Sequence, residues 1–302
     1  MQTTVQYVHE PMAHIDIGPH VFPTEKYDLL ADAIRRELGV DEARFHGWEA
    51  LTSNDLARVH TPQYLSDLSH ARISPATESS ELPVTASVIG GFQRMAGGSL
   101  TAARLALRHG IGFHVGGGFH HAFADHAEGF CYINDMAIAI ERLRAKDGLG
   151  RVLFVDVDVH QGNGTAAIYV EDPETFTYSI HQENNYPVKE RSDLDRGLED
   201  GVGDDEYLAC LREDLEAIDR TFEPELVCYV AGVDPHRDDM LGGLALTDDG
   251  ILERDRMVLS RYVARGIPVA IFLAGGYSPD PAQTAKLHLG TARAAEEACR
   301  VD

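Results

Sequence analysis

Five consecutive residues, Asp156-Val157-Asp158-Val159-His160, close an apolar run that begins at Arg151. In a strand, residues i and i+2 share a face, so Asp156, Asp158 and His160 are expected to project together from its carboxyl end. Ionisable groups at a buried strand end are costly unless paired or bound to a metal. One imidazole with carboxylates suits Zn(II), with Fe(II) as the alternative, and neither a thiolate set nor an all-oxygen cage is offered. Taken alone, the motif also reads as a strand end carrying a helix cap and a satisfied histidine.

Three further apolar runs end in residues of the same kind. IGFHV (111–115) leads into Gly116-Gly117-Gly118-Phe119-His120-His121. LVCYVA (226–231) leads into Gly232-Val233-Asp234 and then Asp238-Asp239, and IPVAIFLA (267–274) into Gly275-Gly276-Tyr277. Singly, these are a surface histidine pair, a solvated turn and a loop with an aromatic plug. Brought to one edge, they supply a further ligand, an acid/base pair and a hydroxyl donor.

The elements that must position these groups follow from hydrophobic periodicity. Strands are expected at 111–115, 151–157, 175–181, 226–231 and 267–273, alternating with helices near 131–147, 163–171, 204–221, 247–266 and 281–299. The first third is less regular, with helices expected from Pro23 to Leu38, after Thr61-Pro62 and from Thr85 to His109. This alternation predicts an α/β fold: a single-domain, doubly wound parallel sheet with helices on both faces, spanning 1–302. In such a sheet, ligands sit beyond the carboxyl ends of the strands. Gly116-Gly117-Gly118 lacks a following Gly-Lys-Ser/Thr, so a phosphate-binding P-loop is not supported.

Composition narrows the function classes. The formal charge is −23, from 49 acidic and 26 basic residues, of which only 4 are lysine. Nucleic acid is therefore not an expected partner, because phosphate binding needs a basic surface. Residues 190–225 alone hold fourteen Asp/Glu against four Arg and read as a solvated face. Cys131, Cys210, Cys228 and Cys299 show no CxxC pairing, which suits a reducing, cytoplasmic setting. No basic-then-apolar leader and no apolar stretch of about 18 residues occurs, so export and membrane spanning are not expected.

The run HVGGGFHHAFADHAEGFCYIND, then VDVDVHQGNGT, AGVDPHRDDMLGGL and LAGGY resemble the zinc-dependent histone deacetylases of the arginase/deacetylase superfamily. RVHTPQYL (58–65) and GGSLTAARLAL (97–107) extend the similarity over nearly the whole chain. Asparagine in HQGNG, and a DDMLGGL segment similar to GDRLGGL, bring it nearer the class IV branch. That register makes Asp239, rather than Asp238, the third metal ligand beside Asp158 and His160. Gly162 stands where the arginase cousins carry an Asp for a second metal, which disfavours a binuclear manganese site.

The resemblance implies a hydrolase in which His121 is the general base and Tyr277 the oxyanion donor. His120 is expected to lean on Asp156 and His121 on Asn163. Gly129 and Phe130, with Tyr186 opposite, would line a channel for the lysine stem. A structural potassium ion is implied at the Asp156 side chain, Ser179 and the main-chain carbonyls of Asp158, His160 and Ile180. The class IV likeness points to long fatty acyl groups as well as acetyl, with Gly116 to Gly118 and Ala274-Gly275-Gly276 as candidate small lining residues.

The expected substrate is an acylated lysine. One alternative is an acetylpolyamine or other small N-acyl amine, and another is a catalytically silent module that only binds acyl amines. The residues carry no signal for oligomeric state.

Overall fold

The structure is a computed structural model and describes residues 3–10 and 15–300. Its strands are β1 (Thr4–Val8), β2 (Phe45–His46), β3 (Gly110–His114), β4 (Val152–Asp156), β5 (Thr175–Gln182), β6 (Leu194–Leu198), β7 (Leu226–Val230) and β8 (Val269–Phe272). Its helices are α1 (Lys26–Glu37), α2 (Ser53–Leu56), α3 (Pro62–Ser69), α4 (Pro75–Glu78), α5 (Ala86–His109), α6 (Asp135–Asp147), α7 (Asn163–Tyr169), α8 (Asp204–Thr221), α9 (Asp248–Val263) and α10 (Pro281–Ala298).

All eight strands form one sheet, in the order β2-β1-β3-β8-β7-β4-β5-β6. Every pairing is parallel. Parallel strands deliver all their carboxyl ends to one edge. The four chemistry-bearing loops predicted from sequence follow β3, β8, β7 and β4, which are neighbours at the centre of the sheet.

The sheet is buried on both faces, which explains why its central strands read as continuous apolar runs. Val152 and Phe154 of β4 pack with α5 and α6 through Leu100, Met136 and Ile140. Leu153 and Val155 face the opposite layer, with Tyr207, Leu211, Leu215, Val258 and Leu259 of α8 and α9. Gly112 lets α5 lie directly on β3, since a Cβ there would run into the Ala102 carbonyl.

Helix starts follow local chemistry. Thr85 caps α5 by accepting from the Val88 amide, Asn134 caps α6 through the Ala137 amide, and Thr247 caps α9 through Gly250. Three strands lie outside the expected set. β1 and β2 form one side of the sheet, and β6 forms the opposite edge from within the acidic segment. None of the helices among the described residues is long and apolar enough to cross a membrane.

Candidate active site

The ladder continues beyond the strands and ties the loops to one another. Val157 donates to the Val230 carbonyl, Ala231 to Phe272, and Val233 to Gly275. Leu273 and Ala274 donate to Gly116 and Gly117. The Asp/His cluster, the histidine pair, the Asp234 loop and the Gly-Gly-Tyr loop therefore share one rigid floor.

The ligand atoms of Asp158, His160 and Asp234 lie within 4.8 Å of one another, all buried. His160 Nδ1 is 3.1 Å from Asp158 Oδ1 and 3.3 Å from Asp234 Oδ2. Backbone amides aim the carboxylates: Gly275 donates to Asp158 Oδ2 at 2.7 Å and Val159 to Asp234 Oδ1 at 2.8 Å. Asp234 Oδ2 is buried with no hydrogen-bond partner. A buried acceptor left over beside an imidazole and a second carboxylate fits a divalent cation, and the mixed N/O set fits zinc or iron(II).

Asp234 thus stands beside the Asp158 and His160 pair as a second candidate for the third ligand, next to the Asp239 expected from sequence. Asp239 is anchored by backbone amides as Asp158 and Asp234 are: Oδ1 accepts from Leu241 and Gly242 at 2.8 and 3.0 Å, and Oδ2 from the Tyr277 amide at 2.7 Å. Asp238 is further out, its side chain 67% exposed. Asp234 stands directly over the strand edge, four residues past the end of β7, where the ladder bond from Val233 to Gly275 holds it.

The histidine pair sits with its ring centroids 4.0 Å apart. His120 Nδ1 is 2.7 Å from Asp156 Oδ2, and His121 Nδ1 is 2.8 Å from Asn163 Oδ1, the two pairings expected from sequence. Their environments push them apart. Burial disfavours the charged form of His120, but Asp156 and Asp158 outweigh it and raise the imidazole to about 9. At His121 burial acts with the neighbouring His120 and His160 charges and holds the ring well below its ordinary value. His160, flanked by Asp158 and Asp234, is raised to about 10 despite its burial.

Above this floor opens a pocket of about 220 Å³, lined by Glu81, His121, Gly129, Phe130, His160, Asn185, Tyr186, Leu241 and Tyr277. The three expected channel residues are all on its wall. Gly129 and Phe130 form the centre of a tight turn closed by reciprocal bonds between Glu128 and Cys131, and both are left-handed, at φ 49° and 63°. Phe130 accepts that strained conformation while its ring packs 5.9 Å from Tyr277. Gly129 is needed against the histidine, since a Cβ would come within 2.6 Å of His121 Cδ2. Glu128 also receives Asn163 Nδ2 at 2.8 Å and the Tyr186 hydroxyl at 3.1 Å, linking the channel wall to the base.

Burial and the charges of Asp158 and Asp234 raise Tyr277 well above its ordinary pKa, so its hydroxyl stays a donor. Beneath the pocket, a second space of only about 20 Å³ lies among Phe22, Gly118, His120, His121, Gly129, Ala274 and Tyr277. At the glycines expected to line this region, an added side chain would meet neighbouring atoms. Side-chain atoms of Met95 and His114 crowd Gly116, those of Asp135 and Ser99 crowd Gly117, and Ala274 lies against Gly118.

For the potassium set, the strand register pairs Asp156 with Ser179. Ser179 Oγ is 2.9 Å from His181 Nδ1. Glu81, Leu241, Asn185 and Phe22 are site residues that sequence reasoning missed. Only Glu81 carried a signal, as an acidic residue in a Pro-containing loop.

A family profile described as histone deacetylase domain matches residues 20–292. An uncharacterized protein of Picosynechococcus sp. is 41% identical over 261 residues, covering 86% of this chain and 87% of that protein. Histone deacetylase 2 of Arabidopsis thaliana is 35% identical over 240 residues, covering 76% of this chain and 62% of the plant protein. Acetoin utilization protein AcuC of Staphylococcus aureus is 31% identical, covering 75% of this chain and 64% of its own. Among solved structures, a histone deacetylase homologue from Aquifex aeolicus superposes with a TM-score of 0.80 at 25% identity, over 99% of this chain and 89% of the other. A second structure, of such a homologue complexed with SAHA, gives 0.79 at 25% identity, over 99% and 89%. Profile, relatives and architecture agree with the site geometry, and the chain belongs to the histone deacetylase family.

Proposed function

We propose that this protein is a metal-dependent amidohydrolase that removes a short acyl group, acetyl above all, from the side-chain amine of lysine. The observation that carries the reading is the facing of two groups across one pocket. His121 is kept neutral by its burial and Tyr277 is kept protonated, and both adjoin the Asp158, His160 and Asp234 cluster.

Asp158 and His160 would hold the ion, zinc or iron(II), with Asp234 or Asp239 as the third ligand. When bound, such an ion polarises an amide carbonyl and makes a water acidic enough to attack near neutral pH. His121 then takes the proton of the attacking water and delivers it to the departing amine. Tyr277 donates to the carbonyl oxygen as it gains charge. Phe130 and Tyr186 clasp the apolar stem of the substrate and exclude water from it. His120, held protonated by Asp156, orients its neighbour and adds positive potential to the floor.

A structural potassium ion at Asp156, Ser179 and the main-chain carbonyls of Asp158, His160 and Ile180 is part of this reading, supported by the Asp156–Ser179 register. Asn163 in HQGNG supports a position near the class IV branch. The four cysteines are free, which suits a reducing cytoplasm.

A second reading, an acylated polyamine as substrate, is favoured by one observation. Glu81 brings an exposed carboxylate to the pocket wall, where a second ammonium group could meet it. Turnover of an acetyl-lysine peptide compared with N-acetylputrescine, before and after chelation and zinc return, tests both. Hydrolysis of neither substrate by zinc-loaded protein refutes the amidohydrolase reading.

A further inference from the structure

The buried pair Arg254 and Asp255 lies on α9, outside the pocket, and both side chains are fully inaccessible. Consecutive helical residues do not ordinarily face each other. Here the Arg254 side chain folds back on its neighbour: Nε and Nη2 donate to Asp255 Oδ1 at 2.9 and 2.8 Å. The Tyr229 hydroxyl of β7 donates to the same oxygen at 2.5 Å. The guanidinium plane is thereby fixed, and its free edge points at the floor of the site. Nη1 donates to the Gly232 carbonyl at 2.7 Å and to the Val157 carbonyl at 3.3 Å. The Tyr207 hydroxyl of α8 reaches the Val157 carbonyl from the other side at 3.5 Å.

Those two carbonyls belong to different loops. Val157 immediately precedes Asp158, and Gly232 lies two residues before Asp234. The loops also touch directly, since a side chain at Gly232 would strike the Asp158 carboxylate. One planar, permanently charged group therefore holds the backbone beneath two carboxylates that must stay within a few ångströms of each other without repelling apart. A hydrophobic residue could fill the space but could not bind two carbonyls, and a lysine offers a point charge rather than a fork.

We propose that Arg254, locked by Asp255 and Tyr229, is a positioning residue that sets the spacing of Asp158 and Asp234 and so the metal affinity of the site. This rests on the metal-binding reading given above. Groups behind metal ligands contribute roughly 10- to 100-fold in affinity when their geometry matters. Removing Arg254 alone would leave Asp255 as a lone buried charge, so the pair is best changed together.

The test uses the full chain, with zinc competed against a chelating dye and the protein's melting temperature recorded without added metal. Arg254→Met/Asp255→Asn keeps an acceptor for Tyr229, and Arg254→Lys is the milder second variant. Arg261→Met, which removes the outer ion pair of the same helix with Asp219 at 2.6 Å, controls for lost helix stability. Expected is a zinc Kd weakened roughly tenfold or more in both Arg254 variants and unchanged in Arg261→Met, with an altered visible spectrum of the cobalt-loaded Arg254→Lys protein. A folded Arg254 variant whose zinc Kd and cobalt spectrum match the parent overturns the proposal. A parent protein that binds no zinc, or binds it equally well as Asp158→Asn, overturns the metal-site reading itself.

Discussion

His121 Nδ1 stands 2.8 Å from Asn163 Oδ1, and the other end of that amide fixes the direction of the bond. Asn163 Nδ2 donates to Glu128 Oε1 at 2.8 Å. The amide oxygen must therefore face the imidazole, and His121 donates from Nδ1. Its Nε2 is left with a lone pair, the form a base requires.

Asn163→Asp places an anion behind His121 and stabilises its protonated form. A folded-state pKa that rises means the neutral base appears only at higher pH, so the acidic limb of kcat/KM against pH should shift upward. The check is a pH–rate profile of both proteins. An unmoved limb would show that the amide does not set the state of the base.

Asp234 and Asp239 are the two candidates for the third ligand, and substitution distinguishes them. Asp234→Ala removes a buried carboxylate from the cluster and should abolish stoichiometric zinc binding. Asp239→Ala frees the amides of Leu241, Gly242 and Tyr277, so it should keep the zinc while lowering kcat through a displaced Tyr277. Metal content alongside kcat distinguishes the two. Loss of zinc in Asp239→Ala with retention in Asp234→Ala would establish Asp239 as the third ligand, as read from sequence.

The comparison of these two aspartates shows where sequence reasoning stopped. The strand β4, its Asp/His ending and the loops after β3, β7 and β8 were legible because a buried parallel strand is apolar throughout and any charge at its end stands out. The roles of two carboxylates five residues apart depend on the ladder bond from Val233 to Gly275 and on the amides of Leu241, Gly242 and Tyr277, none of which has a one-dimensional signature. β6 was hidden because its Leu194-Asp195-Arg196 alternation sits at an edge with one solvated side inside an acid-rich stretch. Arg254 and Lys26 carry no sequence signal of their buried place. Their partners include backbone carbonyls, Gly232 and Val157 for Arg254 and Ala274 for Lys26, which only the tertiary fold brings to them.

Tyr277→Phe keeps the ring that packs against Phe130 and Phe22 but deletes the hydroxyl. Loss of one oxyanion donor typically costs on the order of 10²–10³ in kcat. That loss is expected here with unchanged zinc content and little change in melting temperature. A kcat within a few-fold of the parent would remove Tyr277 from the chemistry.

The acyl group's expected place is the space below the pocket floor, and the size of that space predicts the acyl preference. The space bounded by Phe22, Gly118, His121, Ala274 and Tyr277 is about 20 Å³, close to the roughly 10–15 Å³ that a single water occupies by the same measure. A methyl group fits there, whereas a longer chain must displace Ala274 or the histidine pair. Overfilling a packed interior costs about 1–3 kcal/mol, while each buried methylene returns only about 0.8 kcal/mol. For the first added methylenes the penalty exceeds the gain, so kcat/KM should fall from acetyl to propionyl and butyryl lysine peptides. Enlarging the space by Phe22→Ala should flatten that series while leaving acetyl turnover the least affected. A parental series that instead rises with chain length would mean that the floor opens on binding and that fatty acyl groups are substrates after all.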